Sequence, residues 1–134
     1  MFRNMFCHTA TIALGMLALS GVAHAADSAC PANAPNPVTK QSENLVEVQV
    51  LSFPAKQGRP AASKAQPVIH PDQETPVKGG MKQVWNINAS GGNTYLVECY
   101  YGESNKPVSF EVSRLKQCTG EATTKGTWNG FACE

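Results

Sequence analysis

The sequence predicts an all-β domain of mainly antiparallel strands, a small disulfide-stapled sheet arranged as a sandwich or a partly open barrel. Several short segments alternate between apolar and polar residues and are separated by turn signals, which is typical of such domains. No apolar repeat of 3.6 residues persists for the ten or so residues that a confident helix requires. We therefore expect at most one short helix, around residues 61–65.

The first 25 residues have the three-part pattern of a secretory signal. A short start with one cation, Arg3, precedes the uncharged run 10–22, and Ala23-His24-Ala25 supplies the small residues that a signal peptidase reads. The uncharged run is shorter than the roughly 20 residues that a membrane span needs. We therefore expect cleavage after Ala25 and a single periplasmic domain, residues 26–134, without a membrane span.

The charge balance argues against binding to nucleic acid or to an anionic membrane as the main task of the protein. The chain has 11 basic and 10 acidic side chains, and Arg3 is expected to leave with the signal. A neutral domain of this kind lacks the cationic excess that nucleic-acid binding requires. We expect no nucleic-acid partner, and composition does not indicate an oligomeric state.

The alternation predicts strands at 45–53, 81–89, 94–101, 108–112 and 127–133. An irregular N-terminal arm is expected over 26–44, a polar loop over 119–126 and a long loop over 54–80. The first part of that long loop, 54–66, has no apolar period and is read either as a partner-binding loop or as a plain tether. The turn signature Ser90-Gly91-Gly92-Asn93 predicts a hairpin that joins the second strand to the third.

Of the five cysteines, one lies in the predicted signal and four remain: Cys30, Cys99, Cys118 and Cys133. An even number in a short exported chain implies disulfides, and four cysteines allow three connectivities. We expect Cys99 to pair with Cys118 across neighbouring strands and Cys30 to pair with Cys133, which would tie the ends together. The spacings are unlike the CxxC pairs of zinc sites, so we expect no metal.

The residues that could carry chemistry are few. His70 is the sole histidine after the predicted cleavage site, so a site with several histidine ligands is excluded within one chain. A hydrolase would need His70 as its base, with Asp72 or Glu74 to orient it. Glu98 and Glu111 are expected to point to solvent. The sequence therefore predicts no catalytic residue and no cofactor.

The aromatic residues indicate a core and a candidate binding surface. Tyr95 and Tyr101 share a face of the predicted strand with Val97 and Cys99 and are expected in the core. Tyr100 lies on the opposite face, where an exposed ring would suit binding, unless both faces of that strand are covered. The candidate binding surface comprises Tyr100, His70, Asp72 and Trp85.

The cysteine framework resembles that of a known family. Its features here are Cys30-Pro31, a Pro71-Asp72 pair before the tryptophan strand, the strand ending Cys99-Tyr-Tyr, and two later cysteines at 118 and 133. The chain resembles small exported proteins of Gram-negative bacteria that are described only as of unknown function. The resemblance implies a periplasmic location and a disulfide-stapled β-rich fold. It implies no activity, cofactor or catalytic residue.

Three functional hypotheses follow from these observations. The favoured one is a non-catalytic binding module, inhibitor-like or immunity-like, with a protein partner in the cell envelope. The alternatives are a structural or stress-related envelope protein without a dedicated ligand, and a small hydrolase that uses His70.

Overall fold

The computed structural model describes residues 28–134, and it confirms the all-β prediction with two antiparallel sheets. The predicted signal, 1–25, lies outside the described residues. The strands are β1 (Ala29–Cys30), β2 (Asn33–Pro35), β3 (Ser42–Pro54), β4 (Gln73–Val77), β5 (Gly80–Asn86), β6 (Asn93–Tyr101), β7 (Val108–Glu111), β8 (Gln117–Thr123) and β9 (Trp128–Cys133).

The strand order is β1-β9-β8-β5-β4 in the five-stranded sheet and β2-β3-β6-β7 in the four-stranded sheet. The predicted hairpin through residues 90–93 is wrong, because β5 and β6 belong to different sheets. Both edges of β5 are occupied by β4 and β8, and both edges of β6 by β3 and β7. The glycine-rich turn therefore carries the chain from one sheet to the other.

Four strands occur where loops or an irregular arm were expected. β4 lies inside the predicted loop 54–80, and its residues are almost all exposed. It pairs with β5 through a tight turn at Lys78 and Gly79, where Gly79 has a φ of 79°. β8 replaces most of the predicted polar loop 119–126, and the short strands β1 and β2 lie within the arm that was expected to be irregular.

The main core lies between the two sheets. As predicted, Tyr95 and Tyr101 of β6 point into it together with Val97 and Cys99. A β-bulge between Leu45 and Glu47 shifts the alternation of β3. On the other sheet, the rings of Trp128 and Phe131 on β9 pack over Gly120 of β8, where an added Cβ would lie within 3 Å of an atom of each ring.

The expected disulfide pairing is wrong. The bonds join Cys30 to Cys99 and Cys118 to Cys133. Cys118 and Cys133 are directly opposed in β8 and β9, and the neighbouring Gln117 and Glu134 exchange both backbone hydrogen bonds. The two cysteines therefore form the non-hydrogen-bonded type of antiparallel pair, in which side chains lie closest. Cys99 lies in the other sheet, so its bond to Cys30 links the two sheets.

Two disulfides in a domain of this size are typical of an oxidising compartment. Within residues 28–134 no helix is long and apolar enough to cross a membrane.

Candidate binding surface

The four residues of the predicted binding surface do not form one exposed surface. Trp85 is 3% exposed and belongs to the core, so its assignment to a surface is wrong. His70 and Asp72 are exposed on the segment that leads into β4. Tyr100 is half-buried on the four-stranded sheet, on the opposite face of β6 from Tyr101.

The side chain of Trp85 explains its burial. Its ring lies 5.5 Å from the Phe131 ring in an edge-on arrangement and 6.4 Å from the Trp128 ring, measured between centroids. Its indole N–H donates to the carbonyl of Ile69 at 3.2 Å. Trp85 therefore belongs to the core and anchors the segment next to His70 through this hydrogen bond.

The carboxylates that were expected to orient His70 bond to other groups. Asp72 accepts a hydrogen bond from the backbone N–H of Asn86 at 2.6 Å, and Glu74 accepts one from the Gln83 amide at 3.0 Å. Both contacts extend the pairing of β4 with β5. Among residues 28–134, no group of three or more His, Cys, Asp or Glu side chains could hold a metal ion.

The outer face of the four-stranded sheet, which points away from the main core, holds an unexpected buried carboxylate. Glu98 was expected to face solvent but is only 4% exposed, whereas Glu111 is exposed as expected. A carboxylate is rarely buried unless it is paired and hydrogen-bonded. The partner of Glu98 comes from a distant part of the chain.

That partner is Arg59, which lies in a segment that we call the basic loop, residues 55–66. The Arg59 Nη2 atom lies 2.9 Å from Glu98 Oε1, and Nη1 lies 3.5 Å from Oε2. The Arg59 side chain is 39% exposed, against 5% for Glu98. Ser109 on β7 adds a long contact of 3.5 Å to the same carboxylate.

The basic loop has the closed shape of an Ω-loop, whose ends lie close together. At its ends, the Ser52 N–H donates to the carbonyl of Pro67 at 3.1 Å, and the Ala55 N–H donates to the carbonyl of Gly92 at 3.0 Å. A single bridge also pairs Leu51 with Val68. The sequence left open whether residues 54–66 form a tether, and these contacts show an ordered loop instead.

Gln66 organises the interior of the basic loop. Its amide nitrogen lies within hydrogen-bond distance of the carbonyl oxygens of Ala61 and Lys64, both at 3.1 Å, and of Pro60 at 3.4 Å. Its amide oxygen accepts from Arg59 Nε at 2.8 Å. The same arginine therefore binds the loop to itself and to the sheet.

The segment around the basic loop also covers apolar residues on the outer side of β3. Leu51 is fully buried, and Phe53 is nearly so, although neither belongs to the main core cluster. Leu51 lies opposite Leu96 in the register of β3 and β6. Their burial on this face shows that the outer side of β3 is covered as well.

Tyr100 lies beside this ion pair in a negative environment. It is opposite Glu47 in the register and two residues from Glu98 on the same face. Partial burial raises the pKa of the Tyr100 hydroxyl, and the charges of Glu98 and Glu47 raise it further, while Arg59 acts in the opposite direction. The basic loop thus lies against a face that carries the carboxylates of Glu47 and Glu98 and the half-buried ring of Tyr100.

A separate groove of 840 Å³ opens beside β1 and β9. Its lining includes Tyr101, Phe131 and the exposed Val108, with Lys82 and Glu121 as the charged members. Tyr101 donates its hydroxyl proton to the Pro31 carbonyl at 2.9 Å, and burial raises its pKa to about 12. The lining of this groove is therefore largely apolar.

Comparison of the chain with protein-family models, with curated proteins and with solved structures finds no match. The resemblance in the cysteine framework stays an expectation, and the functional argument depends on the geometry of the chain itself.

Proposed function

We propose that this protein is a non-catalytic binding module of the periplasm that presents the basic loop, residues 55–66, to a protein partner. The observation that carries the proposal is the ion pair between Arg59 and the nearly buried Glu98. It holds an otherwise exposed loop against a disulfide-linked sheet.

Holding the loop in one conformation favours binding. Association orders mobile side chains and loops, and this ordering opposes complex formation. A loop that is already fixed on a rigid scaffold loses less conformational entropy when it binds. Gln66 and Arg59 provide this preorganisation with contacts inside the loop. The Cys30–Cys99 bond makes the scaffold rigid, because it links the four-stranded sheet under the loop to the five-stranded sheet.

Two observations support the periplasm as the compartment. The predicted signal, 1–25, would direct export, and the two disulfides require an oxidising environment to persist. Both observations also suit the inhibitor-like or immunity-like role that the sequence favoured.

The proposal is tested by site-specific crosslinking in envelope extract. A photoreactive amino acid replaces Ala62, which is exposed in the basic loop, in oxidised chain 26–134. The matched control carries the same group at Lys125, which is exposed in the turn between β8 and β9. We expect a discrete protein adduct from position 62 that is absent from position 125.

A second variant relates the adduct to the geometry. Arg59→Gln releases the ion pair and should weaken the adduct formed from position 62 while the fold, checked by circular dichroism, is retained. The proposal is wrong if neither position gives a discrete adduct, or if both positions give the same one.

A further inference from the structure

The basic loop concentrates positive charge in a chain that is otherwise nearly balanced. Residues 54–66 contain Lys56, Arg59 and Lys64 and no acidic residue. Arg59 is neutralised by Glu98. Lys56 and Lys64 are exposed, and within residues 28–134 neither takes part in an ion pair. Two free cations therefore project from an ordered loop.

The surface next to the loop has the opposite sign. Glu47 and Glu111 are exposed on the outer face of the four-stranded sheet, on which Arg59 rests. Lys56 and Lys64 therefore carry the opposite charge to the two exposed carboxylates of the neighbouring face. Separation of charge of this kind fixes the orientation in which a charged partner can approach.

From this charge pattern we infer that the basic loop docks on an acidic segment of a protein partner, with Lys56 and Lys64 facing its carboxylates. The inference rests on the proposed function and names the chemistry of its partner. Complementary potentials of this kind speed encounter and exclude partners of the wrong sign.

The composition of the loop favours a protein over a membrane surface. Peripheral membrane segments combine cations with aromatic or large aliphatic side chains that enter the lipid interface. Residues 54–66 contain none of those side chains, and the tip between the cations consists of Pro60, Ala61, Ala62 and Ser63. Small side chains of this kind fit a narrow protein cleft.

The test is a titration of ¹⁵N-labelled oxidised protein with a soluble oligoglutamate peptide at low ionic strength. We expect chemical-shift changes concentrated in residues 55–66, and we expect added salt to weaken them. The charge variant is Lys56→Gln with Lys64→Gln. It should raise the dissociation constant for the peptide about fivefold, as the loss of two exposed ion pairs implies.

The matched control is Lys78→Gln with Lys125→Gln, which removes two exposed lysines outside the loop and should leave the dissociation constant unchanged. The inference would be overturned if the two double variants lost affinity for the peptide equally, or if the chemical-shift changes were spread over all the lysines. So would loop-dependent sedimentation with phosphatidylglycerol vesicles in the absence of peptide binding, since that result would identify a membrane as the target.

The outcome is distinguishable from failure of the proposed function. If crosslinking from position 62 captures a protein and the Lys56→Gln, Lys64→Gln variant captures it equally well, the binding module stands and the acidic partner is rejected. If no protein is captured at all, the proposed function itself is rejected.

Discussion

Replacing both Cys30 and Cys99 with alanine should lower the free energy of unfolding by about 4 kcal/mol, because this bond closes a long loop in the unfolded chain. The two residues are 69 positions apart, whereas Cys118 and Cys133 are 15 apart. Removal of the second bond should therefore have a smaller effect, about 3 kcal/mol. Urea unfolding of the oxidised protein and of the two double variants measures both values.

The pairing can be checked directly by peptide mapping without reduction. The Cys30–Cys99 bond links the two sheets, and the Cys118–Cys133 bond lies within one sheet. A proteolytic fragment that joins Cys99 to Cys118 would contradict the structure. A Cys118, Cys133 double variant that is less stable than the Cys30, Cys99 variant would contradict the reason given for the difference.

Trp85→Ala should destabilise the protein by about 3–5 kcal/mol, the range for removal of a large buried aromatic side chain. The change empties the space against the rings of Trp128 and Phe131, and it leaves the Ile69 carbonyl without its indole donor. The free energy of unfolding in urea gives the size of the effect.

Trp128→Ala is the matched control, because Trp128 is only partly buried and its removal should cost less. If Trp85→Ala does not fold, Trp85→Phe keeps most of the apolar volume and should lose about 1 kcal/mol from the missing hydrogen bond. An alanine variant as stable as the unmodified protein would show that Trp85 does not belong to the core.

The strands whose apolar residues alternate could be predicted from the sequence, because those residues point into the core. β6 shows this most clearly, and Tyr95 and Tyr101 lie in the core as predicted, whereas a bulge interrupts the alternation of β3. β4 escaped prediction because it is an exposed edge strand without an apolar face. β8 could not be predicted because it has few apolar residues of its own. The rings that pack over its Gly120 come from Trp128 and Phe131 on another strand.

The disulfide pairing and the binding surface depend on contacts between distant segments. The predicted Cys99–Cys118 bond requires strands that are close in the sequence to be neighbours in one sheet. The segment between β7 and β8 instead carries the chain into the other sheet, which separates Cys99 from Cys118. Local alternation assigns Glu98 to the outer face of its sheet, but the predicted exposure of Glu98 is wrong because Arg59 returns from a distant loop to cover that face. The available signals were a carboxylate within an apolar strand and a lone arginine in a loop without acids.

The most direct test of the account is the rigidity of the basic loop, measured as ¹⁵N order parameters across residues 56–65. The account predicts values near those of rigid backbone, about 0.85, and a fall below about 0.6 in Arg59→Gln. The turn at residues 124–126 should not change. Values below about 0.6 in the unmodified protein, or a loop that is equally rigid without Arg59, would contradict the claim that the ion pair with Glu98 fixes the loop for binding.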